Sequence, residues 1–211
     1  MSLAKLLWTI PTVPTDVPAI GSAWQGGYYG GKIVIDGTTY GLVVSPKATG
    51  QGYLVYRTSG AAFTGNTSTY DGWTIRANMI AAGIDDFPAQ KACMGLTIGG
   101  FTDWYMPSKL EMEIIYRNLK PTTTSNNTSS GANAYAVPPT INYVATNPTR
   151  TVVTAFRSTG TEFFDSSYYF TATQGIDGNT YAHGKLFTSG VDGADLYTAP
   201  YNVRAIRRVA V

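Results

Sequence analysis

The stretch from Pro107 to Pro121 constrains this chain more than any other. Ser108 followed three residues later by Glu111 forms a capping box with Pro107 just before it, and Leu110, Ile114, Ile115 and Leu119 make a helical apolar stripe. The helix has to end before Pro121, because proline supplies no amide donor and its ring clashes with the preceding turn. Any fold for this sequence must therefore combine at least this one sharply bounded helix with stretches of β-like text.

That β-like text begins at Trp24. Gly30 to Ile35 leads into Asp36-Gly37, a strong hairpin signal, and Thr39 to Val44 returns. Tyr53 to Tyr56 reads as a short strand or bend. Asp71 caps a predicted helix over roughly Trp73 to Ala82, with Ile75, Met79 and Ile80 on one face and Gly83 as its stop. A further helical piece starts near Pro88 and continues through Cys93. Residues 121 to 133 are small, polar and aperiodic, which predicts an exposed, mobile loop. Beyond them Tyr168-Tyr169-Phe170, Lys185-Leu186-Phe187 and Val203 to Val209 read as short strands separated by Gly and Asp turns. Strands, then helices, then strands predict an α+β domain whose terminal strands meet in one sheet.

Residues 1 to 22 differ from the rest. Pro11, Pro14 and Pro18 impose extended backbone, while Leu3, Leu6, Leu7, Trp8 and Ile10 are costly to leave in water. The segment is expected to be an arm packed on its own domain or on a neighbouring subunit, with the domain proper over 23–211. Its apolar run is too short for a signal-peptide core or a membrane span, which predicts synthesis in a cytoplasm and no membrane insertion.

Charge decides which partners are excluded. Charged residues make up 13% of the chain, about half the ~25% of an average domain. A net charge of +2 with no Lys or Arg run leaves no phosphate-neutralising stripe, so nucleic acid is excluded as a partner. Surface polarity falls instead to Gly, Thr, Ser, Asn and 15 tyrosines, a mixture suited to contact surfaces.

Catalytic chemistry finds few candidates. His183 is the one histidine and sits at an expected strand end or turn, with no spacing that assigns it a nucleophile. Asp85-Asp86 reads as a helix-start signal, and of Glu111 and Glu113 the first is used in a cap. Walker loop, dinucleotide fingerprint and CxxC spacing do not occur. Cys93, in an apolar run, reads as a small buried hydrophobe. No cofactor is expected. Calcium is the one ion with a candidate, the loop Gly175-Ile176-Asp177-Gly178-Asn179, which also reads as a plain turn.

Gly99-Gly100-Phe101-Thr102-Asp103-Trp104-Tyr105-Met106-Pro107-Ser108-Lys109-Leu110-Glu111-Met112 resembles the signature of the Lcl C-terminal domain family, and Tyr201 to Val209 is similar to that family's closing strand. The resemblance covers roughly residues 24 to 211. It departs at Phe170-Thr171-Ala172-Thr173, where the family has a tryptophan-serine-serine-threonine motif. The resemblance implies a C-type-lectin-like fold of short strands, about three helices and long loops, as in bacterial adhesins and phage structural or tail-fibre proteins. The opening from Ile20 through Lys47 is most like phage-encoded members. That implies a virion protein, a tail-fibre tip or a capsid or tail decoration subunit, rather than an enzyme. Its partners would be other virion proteins through the arm, host cell-surface glycan or protein, and further copies of itself. A bacterial surface adhesin or a glycan-processing enzyme is the alternative. In the signature, Asp103 is expected to accept backbone amides, Trp104 to fill the core, and Pro107-Ser108 to start the helix. The candidate ligand-binding residues are Tyr168, Tyr169, Tyr181, Tyr197, Asn126 and Asn127, with Tyr201 close by in sequence.

Overall fold

A computed structural model describes residues 16–58, 65–175 and 180–211. In chain order it contains β1 (Ala23–Trp24), β2 (Gly27–Ile35), β3 (Thr38–Val44), the helical turn α1 (Lys47–Gly50) and β4 (Gln51–Val55). Helices α2 (Gly72–Gly83), α3 (Pro88–Met94) and α4 (Lys109–Leu119) follow. The chain then enters β5 (Tyr168–Gln174), β6 (Tyr181–Leu186), β7 (Asp192–Leu196), β8 (Pro200–Arg204) and β9 (Ile206–Ala210). The fold is α+β, with helices packed on two sheets ordered β1-β2-β3-β9 and β4-β8-β5-β6-β7.

The Asp-Gly turn does what its chemistry predicts. Asp36 and Gly37 both take positive φ, at 49° and 79°, and Ile35 pairs with Thr38, so β2 and β3 close as a tight hairpin. Strand β9 then pairs with β3 from Val44↔Ile206 to Tyr40↔Ala210, which joins N-terminal and C-terminal strands in one sheet as expected. A bulge between Tyr29 and Gly31 bends β2 under α4. A Cβ on Gly31 would stand 2.5 Å from Ile114 of α4, so only glycine admits the helix this closely.

The sheets meet at a corner where the chain crosses twice. Between β8 and β9 there is one residue, Ala205, whose amide donates to Gly50 O at 2.9 Å and whose carbonyl accepts from Ser45 N at 3.0 Å. Arg204 lies fully buried there, donating from Nε to Ser45 O at 2.8 Å and from Nη2 to Glu162 Oε2 at 2.8 Å. Burial depresses its guanidinium to about 10, against the pull of Glu162.

The expected helices form with adjusted faces. Asp71 caps α2 by accepting from Thr74 N at 3.0 Å, and Ile75 and Met79 are buried. Ile80 is 42% exposed, because five residues at about 100° each carry it to the flank of the helix. In α4 the residues Ile114, Ile115 and Leu119 enter the core while Leu110 stays half-buried.

The segment that carries the resemblance acts as the joint of the domain. Gly99, at φ 62°, lies so close to Gly26 that a Cβ would stand 2.6 Å from its Cα. Trp104 is fully buried and donates from Nε1 to Phe101 O at 3.0 Å. Contrary to expectation, Asp103 accepts from no backbone amide among the described residues. It receives the Arg207 guanidinium in a two-pronged pair at 2.7 and 2.9 Å, and Arg207 also stacks over Phe101 at 3.8 Å. The closing strand had the matching arginine, but sequence spacing alone did not pair them. Glu111 completes the capping box and extends it: its carboxylate accepts from Ser108 N at 2.7 Å, Gly72 N at 3.2 Å and Tyr105 OH at 2.6 Å. One buried carboxylate thus ties the start of α2 to the start of α4.

Candidate functional site

The six candidate ligand residues do not form one surface. Tyr169 is fully buried, its ring edge-on to Phe164 and Phe187 and its hydroxyl donating to Gln51 Oε1 at 3.0 Å. Strand alternation explains this, since Tyr168 and Phe170 point to the opposite face of β5. Asn126 is 6% exposed and acts as a hub. Its Oδ1 accepts from Tyr116 OH at 2.8 Å and Lys120 Nζ at 2.7 Å, and its Nδ2 donates to Pro148 O at 2.9 Å and Val144 O at 3.1 Å. These two residues are corrected to scaffold. Buried Lys120 holds the same loop by donating to the carbonyl oxygens of Thr124 and Pro148, so the segment 121–133 is a braced wall with several interior members.

Tyr168, Tyr181, Tyr197 and Asn127 do reach the surface, at separate places. Tyr168 lies over Gly193 of β7, where a Cβ would approach its ring to 3.0 Å. Tyr181, 41% exposed, pairs with Leu196 at the other end of the β5–β6 hairpin. Tyr197 is half-buried against the core, and its carbonyl accepts from Tyr56 N at 3.0 Å. Asn127 caps a turn, accepting from Ser129 N at 3.0 Å and Ser130 Oγ at 3.1 Å. Gly175 bonds to Tyr181 O, and the rest of the calcium candidate lies outside the described residues. Among the described residues no group of three or more His, Cys, Asp or Glu is placed to hold a metal ion, and no helix is long and apolar enough to cross a membrane.

A polar cleft of about 270 Å³ opens beside Asn127, between the first turn of α4, the Ser129–Ala132 turn and the start of β7. Its chemistry comes from Lys109, Asp192, Ser129 and Asn142. Lys109 is placed by its own amide, which donates to Thr173 Oγ1 at 3.0 Å. It stands at the positive end of the α4 dipole, where a cation is disfavoured, and Asp192 offsets this from 4.0 Å across the cleft. Asp192 is held by its amide donating to Ser130 Oγ at 3.1 Å. Behind it the ammonium of buried Lys185 lies 2.5 Å from Oδ1, leaving Oδ2 on the side of Lys109. Burial lowers the Lys185 pKa and Asp192 opposes that shift.

His183 lies inside β6, not at a turn, and its buried Nδ1 has no hydrogen-bond partner among the described residues. Burial, reinforced by Lys109, drops its pKa to about 4, so it is neutral and weakly basic near pH 7. Glu113, Glu111 and Asp85 are likewise committed. Glu113 accepts from Arg117 at 2.9 Å and Asn133 at 3.0 Å, Glu111 serves the joint, and Asp85 pairs with Lys91 at 2.7 Å. Cys93 is buried, with its thiol pushed up to about 12. What the cleft can do is hold a hydroxyl or amide that accepts from Lys109 and donates to Asp192.

Sequence reasoning missed Asp192, because Asp192-Gly193 looks like a turn dipeptide and only the fold puts it in a strand. Lys109 was visible as the residue after the helix cap, and nothing local marked it as facing a cleft.

No family model matches this chain, and no curated protein matches it. Among solved structures, a fimbrial protein from Bacteroides ovatus aligns at 15% identity and a TM-score of 0.44, over 79% of this chain and 35% of that one. The chain thus spans about a third of the length of that protein.

Proposed function

We propose that this chain is a non-catalytic binding and structural module of C-type-lectin-like fold, carried on a bacteriophage particle as a tail-fibre tip or as a capsid or tail decoration subunit. The fold reading is supported by the way the signature segment works: it joins the N-terminal hairpin and closing strand to both main helices through Asp103, Trp104 and Glu111. The virion reading rests on the likeness of the sequence to phage-encoded members of that family. Binding is carried by one observation, the polar cleft whose Lys109 and Asp192 face each other while the histidine and the other carboxylates named above are committed to the interior or to ion pairs. Hydroxyl-rich host-surface material fits such a cleft, and many copies on one particle would multiply a weak single-site affinity by roughly 100-fold or more.

The test presents the full chain to host envelope fractions, singly and at high density, beside Lys109→Ala and Asn142→Ala variants. Retention should need dense display and drop several-fold in both variants with unchanged thermal midpoints. Retention indifferent to Lys109 and Asn142, or steady release of sugar or peptide fragments, would overturn the reading. Labelling of purified particles with an antibody to the chain, seen by electron microscopy, checks the virion placement.

A further inference from the structure

Lys185 of β6 stands directly opposite Asp192 of β7 in the antiparallel register, where side chains of the two strands meet. Its Nζ lies 2.5 Å from Asp192 Oδ1, nearer than the about 2.7–3.2 Å of an ordinary N–H···O bond. Among the described residues Oδ1 has no hydrogen bond of ordinary geometry. An amine and a carboxyl carbon are thus held within reach of each other by the strand pairing itself.

The surroundings are closed on the amine side and open on the carboxyl side. The Lys185 side chain is 1% exposed, with the rings of Tyr143 and Tyr116 centred 5.5 and 5.9 Å from Nζ. Burial lowers its pKa and Lys109 adds to the effect, against the pull of Asp192 and Glu113. A desolvated lysine beside a second cation is the ordinary way to make a nucleophilic amine. Asp192 Oδ2 faces the polar cleft, and the Lys109 ammonium stands 4.0 Å from it, where a cation stabilises negative charge developing on that oxygen. Keeping both partners ionised here carries a desolvation cost that a neutral product would not. Fixed juxtaposition of this kind is equivalent to about 10⁵–10⁸ M of reactant, which favours condensation.

We propose that Lys185 and Asp192 condense to an isopeptide bond that staples β7 to β6. The neutral amine attacks Asp192 Cγ, the Nζ–Cγ bond forms and the Cγ–Oδ1 bond breaks. Oδ1 leaves through the cleft as water with two protons of the ammonium, the third stays on the amide nitrogen, and Oδ2 becomes the amide carbonyl. Nothing is oxidised or reduced, and the event occurs once per chain without turnover. Strand β7 ends its sheet, so the bond secures a strand held from one side only. This inference does not depend on the ligand of the polar cleft, where Oδ2 still accepts.

Tryptic mapping of the full-length chain tests it. Lys185 is the one lysine or arginine between Arg157 and Arg204, so an unlinked chain yields the separate peptides 158–185 and 186–204. Trypsin does not cut after an acylated lysine. The expected product is a single 158–204 peptide, lighter than its sequence by one water, whose fragments join positions 185 and 192. Closure of a succinimide at Asp192-Gly193 also expels one water, but it leaves Lys185 open to trypsin and is indifferent to Lys185→Met. Lys185→Met and Asp192→Ala should each restore the full mass. Cleavage after Lys185 throughout the parent population, or a water loss that persists in Lys185→Met, overturns the proposal, and the parent map decides alone if a variant fails to fold.

Discussion

Removing the Glu111 carboxylate isolates the joint between α2 and α4. In Glu111→Ala three buried donors, Ser108 N, Gly72 N and Tyr105 OH, lose their acceptor at once. A buried donor left unpaired costs about 1–3 kcal/mol. Part of that is returned because burial already raises the Glu111 pKa, which means its charge is held at some expense. The net loss is about 3–5 kcal/mol, a large share of the 5–15 kcal/mol that holds a typical domain together. In a chain of this size it appears as a thermal midpoint lower by roughly 6–20 °C. Urea unfolding at pH 7, followed by tryptophan fluorescence, measures it directly. Glu111→Gln keeps a carbonyl acceptor and should lose less. Tyr105→Phe, which removes one of the three donors, should be less than additive with Glu111→Ala. A loss below about 1 kcal/mol in Glu111→Ala, or full additivity with Tyr105→Phe, would refute the role of this carboxylate as the joint.

Trp104→Ala, at a fully buried position, should cost about 3–5 kcal/mol in the same assay, and an unchanged midpoint would mean the ring is not core. His183 is depressed to about 4 from an ordinary 6.5, so the unfolded chain takes up a proton first. Stability should therefore be intact above pH 6.5 and fall by roughly 1–3 kcal/mol as pH drops toward 4. Glu111, whose pKa is raised, works in the opposite direction over the acid range. His183→Gln should flatten that acid slope, and an unaltered slope would place the proton uptake elsewhere.

Local chemistry made much of this fold legible. The Asp36-Gly37 turn, the Asp71 cap and the Ser108–Glu111 box each depend on neighbours within a few residues, and each formed as read. The meeting of β9 with the first hairpin followed from element order. The pairing of Asp103 with Arg207, across 104 positions, was not legible, because several arginines near the C-terminus were equal candidates until the register was set. The site was read least well, for the same reason. Strand parity sent Tyr169 inward while Tyr168 stayed at the surface, and the polar segment after Pro121 spent Asn126 on bracing its own loops. Composition pointed to amides and phenols as candidate contact groups, but which of them reach the surface is decided by long-range packing.

The single-residue crossing at Ala205 has a consequence for how the molecule is made. Strands β8 and β9 complete different sheets from adjoining stretches of chain, so β4 and β3 both wait for residues 200–210. Until that stretch leaves the ribosome, two strand edges stand open together, and such edges recruit other chains. Folding is thus tied to the end of this domain's synthesis: its contacts are long-range, and loop closure over such separations is slow. A translational pause just before Pro200 would prolong the vulnerable interval for both sheets, whereas a pause after Ala210 has emerged would be harmless.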